Sequence, residues 1–214
     1  MKMNRRLKFI IQNSLNGKSL DCGCTQNQNF HDNLVKLSNF KWFSVDKNPF
    51  YRGKKFRNSG FFICNVVHLS CRNEVFSNIF AGELIEHITE KNGIKFIDEI
   101  HRVLKTGGKL FITTPNKKSL MNRVIHNNEH IEHLHLYDFN ELITKLTEHR
   151  FKCLEISGDF YDEKELLGNP KISGIYIGSD TIKIGEILKP IRFLLNKLLP
   201  LELREQIRII AKKV

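Results

Sequence analysis

Lys18-Ser-Leu-Asp-Cys-Gly-Cys-Thr-Gln-Asn27 is the stretch whose reading decides the fold. A short apolar start at Leu20 runs into an acid, a glycine and then small or polar residues, and helix-like sequence follows. A buried first strand ends this way when it passes through a tight turn into a helix. Backbone amides at such a turn can face a ligand, and a glycine such as Gly23 lets that ligand come close. One glycine between two cysteines is not a motif by itself. Its meaning comes from what stands downstream at regular intervals.

Three later stretches stand there. Trp42-Phe-Ser-Val-Asp46 is a second apolar run ending in an acid. Phe76-Ser-Asn-Ile-Phe-Ala-Gly-Glu-Leu-Ile-Glu-His87 is a third, and Arg102-Val-Leu-Lys-Thr-Gly-Gly-Lys-Leu-Phe-Ile-Thr-Thr-Pro-Asn116 closes the series. In this order the four stretches resemble the class I S-adenosylmethionine-dependent methyltransferases of the small-molecule type, over roughly residues 7 to 158 and more loosely in the tail. The last two stretches carry the specific part of the likeness. The first departs from it: the family has glycine at three alternate positions, and this chain keeps Gly23 but has Thr25 and Asn27 at the others.

The resemblance implies an α/β fold, a Rossmann-like, mostly parallel seven-stranded sheet with helices on both faces and an antiparallel last strand. That strand would slot between strands five and six. Residues 1–214 would be a single methyltransferase domain, with 159–203 inserted or folded as a cap over the site. S-adenosylmethionine is the implied cofactor, and Asp21, Cys22 and Gly23 after the first strand are implied to contact it. Asp46 and Lys47 follow the second strand, where an acid suits bidentate hydrogen bonding to ribose hydroxyls. Asn65 stands where the family commonly has an acid for the adenine amino group, and an amide oxygen can still accept that bond. Val66 would neighbour adenine through its main chain. Glu83 and His87 lie four apart, on one face if helical, and one of them is expected beside cofactor or substrate.

The rest of the chain reads as alternating elements. Leu7, Ile10, Ile11 and Leu15 have helical spacing, as do Phe30, Leu34, Leu37 and Phe40. Phe61–Asn65 and Val75–Ala81 read as strands three and four. The apolar face Ile97, Ile100, Val103 and Leu104 predicts a helix over 94–104, with Gly107-Gly108 as its left-handed cap. Lys109–Thr114 is strand five, stopped by Pro115. Asp138 with Glu141 predicts a capping box that opens a helix. Phe151–Gly158 and Gln206–Lys212 are strands six and seven.

Four histidines, His126, His130, His133 and His135, invite a metal, but their spacing follows no familiar site and no metal is expected. Cys22 and Cys24 lack a second pair and read as buried small residues. The family often has a His-x-His just before this helix, on a loop over the active site. His133 ranks first as the general base, with His87 second and His135 also a candidate, because imidazole titrates near neutrality.

Composition bounds the partners. The net charge of +11 admits nucleic acid, an anionic membrane or an acidic substrate, although lysine and asparagine spread throughout make a solvated surface the plainer reading. The motifs of several base-directed methyltransferases, Asp/Asn-Pro-Pro-aromatic or Pro-Cys, are missing at 80–83, so nucleic acid is not favoured. Five cysteines without a framework pattern fit a reducing cytoplasm, and the basic start lacks the long apolar core of a signal peptide. The leucine pattern over 189–199, flanked by Lys189, Arg192 and Lys197, suits core packing, a homodimer face or a peripheral membrane helix. The expected reaction is methyl transfer to a small-molecule, glycan or lipid-precursor acceptor, at oxygen. Two alternatives stand beside it: a non-catalytic module of the same fold with weakened cofactor binding, and an RNA methyltransferase.

Overall fold

Along the central strands successive apolar residues serve opposite faces, because side chains alternate with a period of two. Ile79, Ala81, Leu110, Ile112, Ile209 and Ala211 enter one hydrophobic cluster, while Phe80, Phe111 and Ile210 between them enter the other. A sheet apolar on both faces needs cover on both, and helices supply it. The computed structural model describes residues 5–24, 28–38, 40–48, 59–119, 132–159 and 198–214.

The strands are β1 (Lys18–Cys22), β2 (Lys41–Asp46), β3 (Ser59–Ile63), β4 (Phe76–Gly82), β5 (Leu104–Pro115), β6 (Phe151–Asp159) and β7 (Gln206–Lys213). They form one sheet in the order β3-β2-β1-β4-β5-β7-β6. Neighbours from β3 to β5 pair in parallel, whereas β7 runs antiparallel to both β5 and β6. This is the mostly parallel sheet with an inserted antiparallel last strand that the sequence implies. Helices α1 (Arg5–Asn13) and α2 (Gln28–Leu37) pack Leu7, Ile10, Phe30 and Leu34 against one face. Helices α3 (Glu90–Val103) and α4 (Phe139–Glu148) pack Phe96, Ile97, Ile100, Leu142 and Leu146 against the other. Each of these fully buried side chains contributes about 1.5–3 kcal/mol by leaving water.

The order matters for function. From β1 the chain winds outward through β2 to β3, then returns to place β4 on the other side of β1. Where strand order reverses, the connections leave in opposite directions and open a crevice at the carboxyl ends. Asn78, fully buried in β4, fixes the opposite end of this junction. It accepts from the Leu15 amide at 2.8 Å and donates to Leu15 O at 2.7 Å and Ser19 Oγ at 2.9 Å.

Several boundaries shift from the sequence expectation, and two of the shifts change how a segment is used. Gly107-Gly108 do not cap α3: the helix ends at Val103, and Leu104 is already extended and paired with Phe76. Burial of Leu104 pulls the chain into the sheet at once, and the glycines make the irregularity that shifts register between Phe76 and Asn78. Gly107 there holds φ +78°. Strand β3 is Ser59–Ile63 rather than Phe61–Asn65, which leaves Asn65 in a turn with its Oδ1 accepting from the Val67 amide at 3.2 Å. The capping box forms by half. Asp138 accepts from the Glu141 amide at 3.0 Å, but the Glu141 carboxylate bonds His135 instead. Thr25, Asn27, His126, His130 and residues 160–197, with most of the 189–199 pattern, lie outside the described residues. Among those described, no helix is long and apolar enough to cross a membrane.

Candidate active site

A cavity of about 460 Å³ opens at the carboxyl ends of the parallel strands, on the switch point. Volumes of 300–1,000 Å³ suit small ligands and cofactors. Gly23, immediately after β1, forms part of its floor. Its φ of +78° is the left-handed region that favours glycine, and its amide donates to Val45 O at 2.8 Å, tying the end of β1 to β2. A Cβ at this position would stand 2.9 Å from Leu84 Cδ1. Glycine is thus favoured by the backbone, and a Cβ would also press on the flexible end of Leu84.

Asp46 and Lys47 line the wall beyond β2, and Asn65 and Val66 the wall beyond β3. Asp46 is 8% exposed, and its Oδ1 accepts from the Asn48 amide at 2.9 Å, which fixes the carboxylate at the strand end. Glu83, Leu84 and His87 form the side contributed by the turn after β4. Glu83 has φ +52°, an uncommon backbone for a non-glycine residue, and it is held there by several bonds. Its amide donates to Thr113 O at 2.9 Å, while its Oε1 accepts from Thr113 Oγ1 at 2.9 Å and Gln206 Nε2 at 2.8 Å. Arg6 of α1 reaches the same oxygen at 3.5 Å.

Asp21 and Cys22 do not line the cavity. Asp21 is buried, with Oδ2 2.7 Å from Nδ1 of His31 on α2, so its carboxylate anchors that helix behind the loop. Burial raises its pKa, and the His31 bond offsets part of that rise. Cys22 and Cys24 are buried as the sequence suggests; burial pushes the Cys22 thiol well up and the Cys24 thiol to about 12.

The three histidines part company. The segment 132–136 is not a strand, so His133 and His135 find different partners. The main-chain oxygen of Glu86 accepts from the Leu134 amide at 2.7 Å and the His135 amide at 3.2 Å, which docks this segment over the β4 turn. His133 then stands edge-on to His87, with ring centroids 5.0 Å apart. His87 lines the cavity, and its Nδ1 donates to Glu132 O at 3.0 Å. His135 turns to α4, where Nε2 lies 2.7 Å from Glu141 Oε1, and it stacks edge-on against Tyr137.

Sequence reasoning missed two parts of this site. Arg6 hides in a basic N-terminal run and gave no signal, yet it is 7% exposed and bound to Glu83. Glu86, next to His87, is 1% exposed, with Oε2 accepting from Thr114 Oγ1 at 2.9 Å. Burial, then the charge of Glu83, raises its carboxyl well above the usual range.

Residues 2–156 match the family described as a methyltransferase domain. The chain belongs to the methyltransferase domain family. An uncharacterized protein of Methanocaldococcus jannaschii, MJ0638, is 33% identical over 123 residues, which cover 56% of this chain and 51% of that protein. The chain therefore spans about half the length of the curated relative it matches. Among solved structures, a SAM dependent methyltransferase from Archaeoglobus fulgidus superposes with a TM-score of 0.67 at 18% identity, covering 98% of this chain and 90% of that one. The [4+2]-cyclase SpnF also gives 0.67, at 16% identity, covering 98% and 80%. At such identities the likeness shows the fold, which this methyltransferase domain shares with a protein named for a different reaction.

Proposed function

We propose that this methyltransferase domain binds S-adenosylmethionine in the cavity over β1 to β4 and transfers its methyl group to an oxygen of a small-molecule, glycan or lipid-precursor acceptor. One observation carries the reading: a cavity of about 460 Å³ sits on the switch point, with Gly23, Asp46, Asn65 and Glu83 on its walls. These residues fit the cofactor. Gly23, at φ +78°, sets the shape of the cavity wall after β1, and Asp46 presents a fixed carboxylate for two ribose hydroxyls. Asn65 and Val66 line the cavity on the side where an adenine ring would lie in this reading. Asp21 and Cys22 act from behind, through the shape of the loop.

The bound cofactor supplies an already activated methyl group on a sulfonium. What remains for the protein is alignment of an acceptor with that methyl, and removal of the hydroxyl proton. His87 borders the cavity and His133 stands beside it, so a neutral imidazole there is placed to take that proton. His135 ranks last of the three, because Glu141 already engages its Nε2.

The test follows transfer of a labelled methyl group to an acceptor identified by that transfer. His133→Ala or His87→Ala should lower turnover about 10²- to 10⁴-fold while leaving cofactor affinity nearly intact. Full turnover in all three single histidine variants refutes the base assignment. Cofactor binding without any transfer points instead to a non-catalytic module.

A further inference from the structure

We propose that Glu86, His87 and His133 form a binding site for one divalent transition-metal cation at the rim of the cavity. The inference stands on these three side chains and does not depend on which acceptor is methylated. No single run of sequence contains the site. The adjacent pair 86–87 ends the β4 turn, and His133 arrives from a segment 46 residues later, docked by two main-chain bonds onto Glu86 O.

One ligand atom from each residue lies within 4.8 Å of the other two. Bonds to imidazole nitrogen and carboxylate oxygen of about 2.0–2.2 Å need ligand atoms ~3–3.5 Å apart, so the rings close in by ~1 Å on binding. His87 is already oriented for this. A carbonyl can only accept, so the bond to Glu132 O fixes a proton on Nδ1, and in the neutral ring the lone pair is then on Nε2. Nε2 lies 3.9 Å from Glu86 Oε1, beyond hydrogen-bond distance. A ring proton given to a backbone carbonyl, with the other nitrogen turned inward, is the usual support of a metal-bound histidine. The carboxylate is supported as well, through Thr114 Oγ1 on Oε2.

Glu86 is buried without a direct ion-pair partner among the described lysines and arginines, and only the more distant charge of Arg6 acts on it. Two imidazoles and one carboxylate suit zinc, cobalt or iron better than magnesium or calcium, which prefer all-oxygen shells. Three protein ligands leave at least one position open, and His87 places it beside the cavity. A second convergent group, Glu90, His135 and Glu141, differs on these points. Glu90 is exposed, and Lys145 Nζ already neutralises it at 2.9 Å. An imidazole that holds a cation has no lone pair for a proton, so the cation and base roles of His87 and His133 are alternatives, and direct binding decides between them.

The experiment uses the tag-free full chain, stripped with a chelator and dialysed. It is titrated with Zn²⁺ by calorimetry and with Co²⁺ by visible absorption. One ion per chain is expected, with Co²⁺ ligand-field bands that zinc displaces. His133→Ala and His87→Ala, each checked for native circular dichroism, should weaken binding at least about tenfold, whereas Glu141→Gln should not. Absence of saturable binding overturns the proposal. So does equal affinity in wild type and both histidine variants, or a loss confined to Glu141→Gln.

Discussion

Replacing Gly23 by Ala asks one atom to test the local account of the loop. Two costs follow from the geometry. The backbone stays at φ +78°, a left-handed conformation that costs a residue with a Cβ about 1–2 kcal/mol. The new Cβ meets Leu84 Cδ1 at 2.9 Å, the far end of a flexible side chain, so Leu84 yields at about 0.5–1.5 kcal/mol of rotamer strain. Together these give ~1.5–3.5 kcal/mol, or a fall in Tm of roughly 3–14 °C for a domain of this size. Adding Leu84→Ala separates them: the steric part disappears from the double variant while the backbone part stays. The double-mutant cycle should therefore show a coupling of about 0.5–1.5 kcal/mol. Thermal unfolding followed by circular dichroism reads both quantities. A Gly23→Ala protein melting within about 1 °C of wild type refutes the claim that this position favours glycine.

Asn78→Ala removes three hydrogen bonds made by a buried side chain and leaves Leu15 and Ser19 short of partners, so it should cost about 2–4 kcal/mol in urea unfolding; a loss under 1 kcal/mol contradicts the role given to it. His101 packs edge-on against Phe151, its Nε2 is buried without a hydrogen bond, and burial, then the charge of Lys213, depresses its pKa below the ordinary 6.5. The unfolded chain takes up this proton near pH 6.5 while the folded one does not, so this contribution to stability is full above that pH and is lost as pH falls through the lower folded value. His101→Phe keeps the ring contact and removes the titration, so its stability relative to wild type should rise between pH 7 and pH 5; a constant difference counts against the shift.

Legibility in the sequence followed physical locality. The sheet was readable because short, largely apolar runs such as Phe76–Gly82 and Gln206–Lys213 are buried along nearly their whole length. Gly23 and Asp46 were readable because each ends a strand, and the strand order carries both to one cavity. Gly107-Gly108 misled because two glycines after a basic turn look like a cap, whereas burial of Leu104 decided the boundary one turn earlier. His133 and His135 were paired on the assumption of an extended segment. Two amides bonding one carbonyl bent that segment and sent His133 to His87 in the β4 turn and His135 to Glu141 on α4. The convergence of Glu86 with His133 depends on the same docking, and no local pattern encodes it.

The central claim is that the cavity over β1 and β2 holds the cofactor through Asp46. Calorimetric titration of the full chain with S-adenosylmethionine and S-adenosylhomocysteine, beside folded Asp46→Ala, tests it most directly. The account predicts one site per chain for wild type and an affinity lower by about 1–3 kcal/mol, roughly 5- to 150-fold, in the variant, from lost charge-assisted hydrogen bonds. No saturable binding by the wild-type chain, or equal affinity in Asp46→Ala, contradicts it.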